Sequence, residues 1–153
     1  MIQRFSGHIS CKDAAVRMLT RRDYSESELY SKLAAKGYSD RDISDTCSWC
    51  KMSGYLDDLR YTQQQIRQYL RKGNGELKIR YTMKQKVSEN IIQMVLDEEN
   101  IDWYELARQA AEKKYSTHSF SGEPKEYARR VRFLQSRGFN FEQIQYALKN
   151  MQK

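Results

Sequence analysis

Three times, at near-equal intervals, this chain ends a basic helix in the same way and starts another. The junctions read Lys36-Gly37-Tyr38-Ser39 with Ile43, Lys86-Val87-Ser88 with Ile92, and Arg137-Gly138-Phe139-Asn140 with Ile144. Each sets an apolar residue just past the helix end, then an N-cap residue, then an apolar stripe that resumes five residues after the insert. Repetition of this kind is the signature of tandem helical units. Units this small cannot bury their apolar faces alone, so neighbours share them, and such stacks build binding surfaces more readily than active sites.

Apolar periodicity and capping signals divide the chain into helices. Cys11, Ala14, Ala15, Met18 and Leu19 fall on one helical face, which Arg21-Arg22 ends. Ser25 with Glu28 three residues on forms a capping box ahead of Leu29 and Leu33. Gly37 stops that helix, and Ser39 caps the next, which carries Ile43, Cys47 and Cys50 as far as Gly54. In the second group Asp57 is the N-cap of a helix bearing Leu59, Ile66 and Leu70. Gly73-Asn74-Gly75 breaks it, a shorter helix with Ile79 and Met83 runs to Lys86, and Ser88 caps one with Ile92, Val95 and Leu96. In the third, Asp102 with Glu105 opens a helix whose Trp103, Leu106, Ala107 and Ala110 face inward. His118 to Glu123 reads as a loop, Pro124 opens a helix with Tyr127, Val131 and Leu134, and Asn140 with Gln143 opens the last. The expected class is all-α, nine helices in three tandem three-helix repeats over 7–54, 55–101 and 102–153, arranged as an elongated, curved stack.

The charge is unevenly spread. The net charge is +7 in 153 residues, so an acidic partner is expected: DNA, RNA or an acidic protein surface. Arg60–Lys86 holds eight basic residues and one acidic residue, Glu76, whereas Glu89–Asp102 holds five acidic residues and no basic one. Arg67 and Arg71 share a helical face, as do Arg80 and Lys84, and so do Lys125, Arg129 and Arg132 in the third group. If the groups stack in register these cations form a broken basic stripe, the segregated acids leaving it uncompensated. The competing reading is a solvated coat of long cations. Tyr30, Tyr61, Tyr69, Tyr81, Tyr104 and Tyr115 could stack on bases, but tyrosine at helical spacing is more often a core-edge residue.

Catalytic and metal-binding patterns are weak. Cys47-Ser48-Trp49-Cys50 spells C-x-x-C, yet it lies inside a helical apolar stripe, not at a helix start after a strand, and reads as core. Cys11, His8 and His118 are too scattered to complete a zinc site or a triad. Asp57-Asp58 is explained as an N-cap pair at a helix dipole. No enzyme, metal or cofactor is expected. Met1–Ser10 carries no apolar core of signal-peptide length, no run reaches membrane-helix length, and three cysteines suit no secreted disulfide framework; the expected location is the cytoplasm.

Five ordered motifs carry a resemblance. Arg21-Arg22-Asp23-Tyr24-Ser25 followed by Glu28-Leu29 and Lys32-Leu33 resembles the first signature of the RecX family, bacterial regulators of the RecA recombinase. Gly54-Tyr55-Leu56-Asp57-Asp58 with Arg60-Tyr61, and Lys72-Gly73 with Gly75 and Ile79, are similar to its second and third. Ile101-Asp102-Trp103 with Leu106-Ala107-Arg108 and Lys114-Tyr115, then Arg132-Phe133-Leu134 with Arg137-Gly138-Phe139, resemble the last two, so the match spans nearly the whole chain. Two positions depart: Lys86 runs into Val87 where a glycine is usual, and Thr62 stands where the family often has alanine.

The resemblance implies binding to RecA and to the RecA–DNA filament, with suppression of recombinase, ATPase and coprotease activities and hence an effect on DNA repair and the SOS response. Whether DNA is also touched directly stays open; no membrane is expected, and the chain is expected to act as a monomer. The residues assigned to partner or DNA contact are Arg67, Arg71, Lys72, Arg80, Lys84, Lys125, Arg129 and Arg132. The rival expectation is an autonomous helical DNA-binding regulator that acts without RecA, since three-helix units resemble helix-turn-helix modules.

Overall fold

The computed structural model describes residues 9–116 and 122–151. Among the described residues there are nine α-helices and no strand: α1 Cys11–Arg21, α2 Glu26–Ala35, α3 Asp40–Met52, α4 Asp58–Arg71, α5 Glu76–Met83, α6 Glu89–Glu99, α7 Trp103–Tyr115, α8 Pro124–Arg137 and α9 Phe141–Lys149. They fall into two compact units. One holds the described residues of Met1–Gln64 with Lys86–Ile92, the other those of Gln65–Gln85 with Gln93–Lys153. The middle helices α4 and α6 are thus each divided, after Gln64 and after Ile92.

In the first unit local chemistry sets the starts of α1, α2 and α3 and the end of α2. The Ser10 hydroxyl accepts the Asp13 N–H at 3.0 Å and opens α1. The Ser25 hydroxyl accepts the Glu28 N–H at 3.1 Å while the Ser25 N–H donates to the Glu28 carboxylate at 3.2 Å, the reciprocal box expected from the sequence. α2 ends in a Schellman turn: Gly37 takes φ +98°, Gly37 N–H donates to Ala34 O at 3.0 Å, and Tyr38 N–H donates to Leu33 O at 3.4 Å. Ser39 then caps α3 through the Asp42 N–H at 3.1 Å.

The core of this unit is Cys11, Ala14, Ala15, Leu19, Leu29, Leu33, Ile43, Cys47, Cys50 and Leu56, with Met18, Tyr24 and Trp49 packed around it. Both cysteines of the C-x-x-C lie in that core as free thiols. Burial pushes the Cys47 thiol up to about 11, the opposite of an activated thiolate.

The two adjacent aspartates separate. Asp57 caps α4 by accepting the Arg60 N–H at 3.1 Å. Asp58 turns away and accepts the Glu26 N–H at 2.8 Å, so it caps the start of α2, and burial raises its carboxyl above the usual range. The sequence reading of both as caps of one helix is corrected there. Arg60 binds Asp23 through two contacts, 2.9 and 3.0 Å, and also reaches Gly54 O and Tyr55 O, each at 3.2 Å. The middle junction closes on the same unit, with Ser27 donating to Lys86 O at 3.1 Å and Lys86 Nζ 3.6 Å from the Glu28 carboxylate. It needs no left-handed residue because α5 stops at Met83, three residues short of the Lys86 expected from the sequence. Thr62 is buried, and its hydroxyl has no hydrogen-bond partner among the described residues.

The second unit centres on Ala107, Ala110, Ala111, Leu134, Phe139, Ile144 and Ala147 from α7, α8 and α9. Four alanines in that core let α7 and α9 approach closely, since interaxial distance follows side-chain size. Tyr127, expected on the inward stripe of α8, is exposed instead. Arg130 takes the buried place, with its guanidinium 4.4 Å from the Tyr115 ring and 3.5 Å from the Glu126 carboxylate.

Here a helix start meets a helix end. α5 has Gly75 as N-cap with no side-chain cap. Its first donors go to the end of α8 instead: Gly75 N–H to Arg137 O at 2.6 Å and Leu77 N–H to Gly138 O at 3.0 Å. The backbones touch, so that a Cβ on Gly75 would lie 2.5 Å from Gly138 O, and one on Gly138 would lie 2.5 Å from Lys78 Cβ. The third and last sequence motifs, more than sixty positions apart, therefore form one junction.

Candidate functional site

Beside that junction lies a cleft of about 350 Å³ built by the end of α4, the last turns of α7 and the end of α8. Its apolar lining comes from Leu70, Leu106, Ala110 and Phe133, and Arg71, Lys72, Lys113, Lys114 and Arg137 supply cations. α4 delivers Arg71 and Lys72 because it ends there: Gly73 takes φ +84°, and the Gly73 and Asn74 N–H groups donate back to Leu70 O and Tyr69 O, both at 3.0 Å. α7 delivers Lys113 and Lys114 in its last turn, where cations are favoured by the helix dipole.

Arg137 fixes the cleft. Its Nη1 donates to Lys72 O at 2.8 Å, which caps the end of α4 from the end of α8. Its guanidinium carbon lies 4.9 Å from the Phe133 ring centre, Lys114 Nζ lies 5.3 Å from the same centre, and Tyr115 packs edge-on at 5.7 Å. Among the described residues no carboxylate pairs with any of the five cations, whereas Arg67, Arg80, Arg108 and Arg130 of the same unit all have one. Five uncompensated charges around one concavity make a local positive potential that an anionic group would relieve.

The eight residues assigned from sequence divide. Arg71 and Lys72 line the cleft. Arg67 does not; its Nε donates to Glu99 at 2.8 Å. Arg80 donates to Glu76 at 2.8 Å and to Gln93 at 2.7 Å. Lys84 is exposed with its ammonium 5.2 Å from the Tyr81 ring centre, and Lys125, Arg129 and Arg132 are exposed on α8 outside the cleft. The segregation of acids in the sequence thus does not persist in space: Glu99, from the acidic stretch, returns to Arg67.

Sequence reasoning missed Lys113, Lys114 and Arg137 as site residues. A signal existed for Arg137, since each of the three junctions has a cation at the helix end. Of the tyrosines weighed as base-stacking groups, Tyr61 is core, Tyr69 is half-buried and Tyr81 is exposed.

Among the described residues no group of three His, Cys, Asp or Glu side chains is placed to hold a metal ion, and no helix is long and apolar enough to cross a membrane. His8 and His118 lie outside the described residues, as does most of the loop expected at His118 to Glu123.

Known proteins resemble the chain along its length. The family model for the first three-helix domain of RecX matches residues 11–50, and that for the third three-helix domain matches residues 100–148. Regulatory protein RecX of Vibrio campbellii is 52% identical over 141 residues, 92% of this chain and 90% of that protein. Regulatory protein RecX of Vibrio vulnificus is 50% identical over 92% of each. Regulatory protein RecX of Legionella pneumophila is 38% identical over 91% of this chain and 93% of its own length. The crystal structure of RecX from Lactobacillus salivarius superposes with a TM-score of 0.76, covering 92% of this chain and 94% of that one at 20% identity, a likeness of fold.

Proposed function

The chain belongs to the RecX family of regulatory proteins, and on that footing we propose that it binds RecA and the RecA–DNA filament and restrains recombinase, ATPase and coprotease activities, and with them DNA repair and the SOS response. The observation that carries the reading is the cleft at the end of α4, where Arg71, Lys72, Lys113, Lys114 and Arg137 gather and none pairs with a carboxylate among the described residues. A polyanionic filament, protein and DNA together, is a partner able to supply the missing charge. Arg67, Arg80, Lys84, Lys125, Arg129 and Arg132 belong to the wider contact surface in this reading, with Arg67 and Arg80 exchanging an internal carboxylate for an external one. The protein acts as a monomer in the cytoplasm, and its binding units are the repeats 7–54, 55–101 and 102–153.

The test is a titration of RecA ATPase on single-stranded DNA. The unaltered protein is expected to inhibit it, and Arg71→Glu with Lys72→Glu to weaken inhibition by about tenfold or more, because reversed charge meets a like surface. Arg67→Glu alone is expected to do less, since that side chain already has a partner. Equal inhibition by the folded double variant removes the assignment. Tight binding to naked DNA with no effect on RecA replaces the reading with an autonomous DNA-binding regulator.

A further inference from the structure

We infer that the cleft at the end of α4 receives an acidic peptide segment carrying an apolar side chain, with its carboxylates among the five cations and its apolar group against Phe133, Leu106 and Ala110. The inference rests on reading the cleft as the partner-binding site and names the chemistry that enters it.

The alternative occupant is a nucleic-acid strand, and Phe133 argues against it. Strand-binding grooves join a basic track to open aromatic faces on which bases stack. The Phe133 ring already has Arg137 and Lys114 over it at 4.9 and 5.3 Å and packs T-shaped with Tyr115. A base stacked on that ring has to displace those cations, whereas an apolar side chain also finds Leu70, Leu106 and Ala110 beside it. The same cations suit a carboxylate. Arg137 is held by its 2.8 Å bond to Lys72 O and by the ring beneath it, so its remaining donors point in a fixed direction, and a planar fork of that kind matches a carboxylate in two bonds.

Size points the same way. A volume of about 350 Å³ lies at the low end for ligand pockets, enough for one or two side chains and too small for a run of nucleotides. The apolar lining supplies what a phosphate backbone does not use and an apolar side chain does.

The experiment titrates the full-length protein with a fluorescent peptide of alternating glutamate and leucine, and separately with an oligothymidylate of equal charge, while backbone amide resonances are followed. The peptide is expected to bind and to move the resonances of Lys113, Lys114 and Phe133. Replacing its leucines with serines should weaken it by about fivefold or more, the loss of buried apolar contact. Lys113→Glu with Lys114→Glu should weaken it by about tenfold or more at unchanged helix content; both side chains are exposed, and Arg71→Glu gives a second variant should that pair misfold. An oligothymidylate that moves the same resonances at lower concentration, or a peptide that moves none of them, overturns the inference. RecA ATPase scored alongside separates the two readings. Peptide binding without ATPase inhibition supports the cleft and removes RecA; inhibition without peptide binding overturns the cleft and leaves RecA standing.

Discussion

At the end of α2, Gly37 turns left-handed with φ +98°, and a Cβ there would meet nothing within 4 Å; at the end of α8, Gly138 turns left-handed with φ +100°, and a Cβ there would lie 2.5 Å from Lys78. The two junctions are near-copies in sequence and in hydrogen bonding. Tyr38 N–H returns to Leu33 O, and Phe139 N–H returns to Leu134 O. The cation before each glycine differs in use. Lys36 is exposed, whereas Arg137 caps α4 at Lys72 O and covers Phe133. One motif therefore serves first as a plain helix stop and then as a joint onto which another helix start and a cleft are built. Repetition supplied the turn, and the contacts made around it supplied the specialised use.

The largest effect expected to test this contrast is at the glycines. Gly138→Ala should cost about 3 kcal/mol or more in urea unfolding, since it adds a backbone collision to left-handed strain. Gly37→Ala carries only the strain and should cost about 1 kcal/mol. Equal costs would erase the distinction between the two turns. Next come the cations. Arg137→Met should lower stability by about 1–2 kcal/mol through the bond to Lys72 O, and Lys36→Met should change it by less than about 0.5 kcal/mol, both read from the same unfolding curves. The smallest contrast lies in the N-caps. Ser39→Ala and Asn140→Ala should each cost about 1 kcal/mol, since each removes one side-chain acceptor, and the Asn140 backbone N–H keeps its 2.9 Å bond to Gln143. A large gap between these two would mean that the caps, not the glycines, distinguish the junctions.

How far the chain could be read in advance follows from distance along it. The boxes at Ser25 and Asn140 and the stops at Gly37 and Gly138 depend on neighbours within a few positions, so residue order states them. The core role of Cys47 and Cys50 followed from their place in an apolar stripe. The end of α5 was placed too late because Lys84, Gln85 and Lys86 are good helix formers, and nothing local announces the turn that brings Lys86 to Ser27 and Glu28. Arg130, not the Tyr127 expected there, takes a buried place on α8, where Tyr115, fifteen residues earlier, offers a ring to the guanidinium. The cleft was legible only at Arg71 and Lys72; Lys113, Lys114 and Arg137 join them through α7 and α8 packing, which no short window contains. Arg67 looked uncompensated for the same reason, with Glu99 distant in the chain, whereas the Glu76 that pairs with Arg80 stands only four residues before it.

The bonds from Gly75 and Leu77 to the last carbonyls of α8 have a consequence for the chain as it is made. Two donors at the head of α5 wait for acceptors that leave the ribosome some sixty residues later. Until Gly138 has emerged, α5 begins with open amides and α8 does not yet exist, so the second unit cannot close piece by piece from its amino-terminal side. The first unit waits only for Lys86–Ile92, and a nascent chain paused after that segment would carry one settled body trailing a segment still short of its anchor.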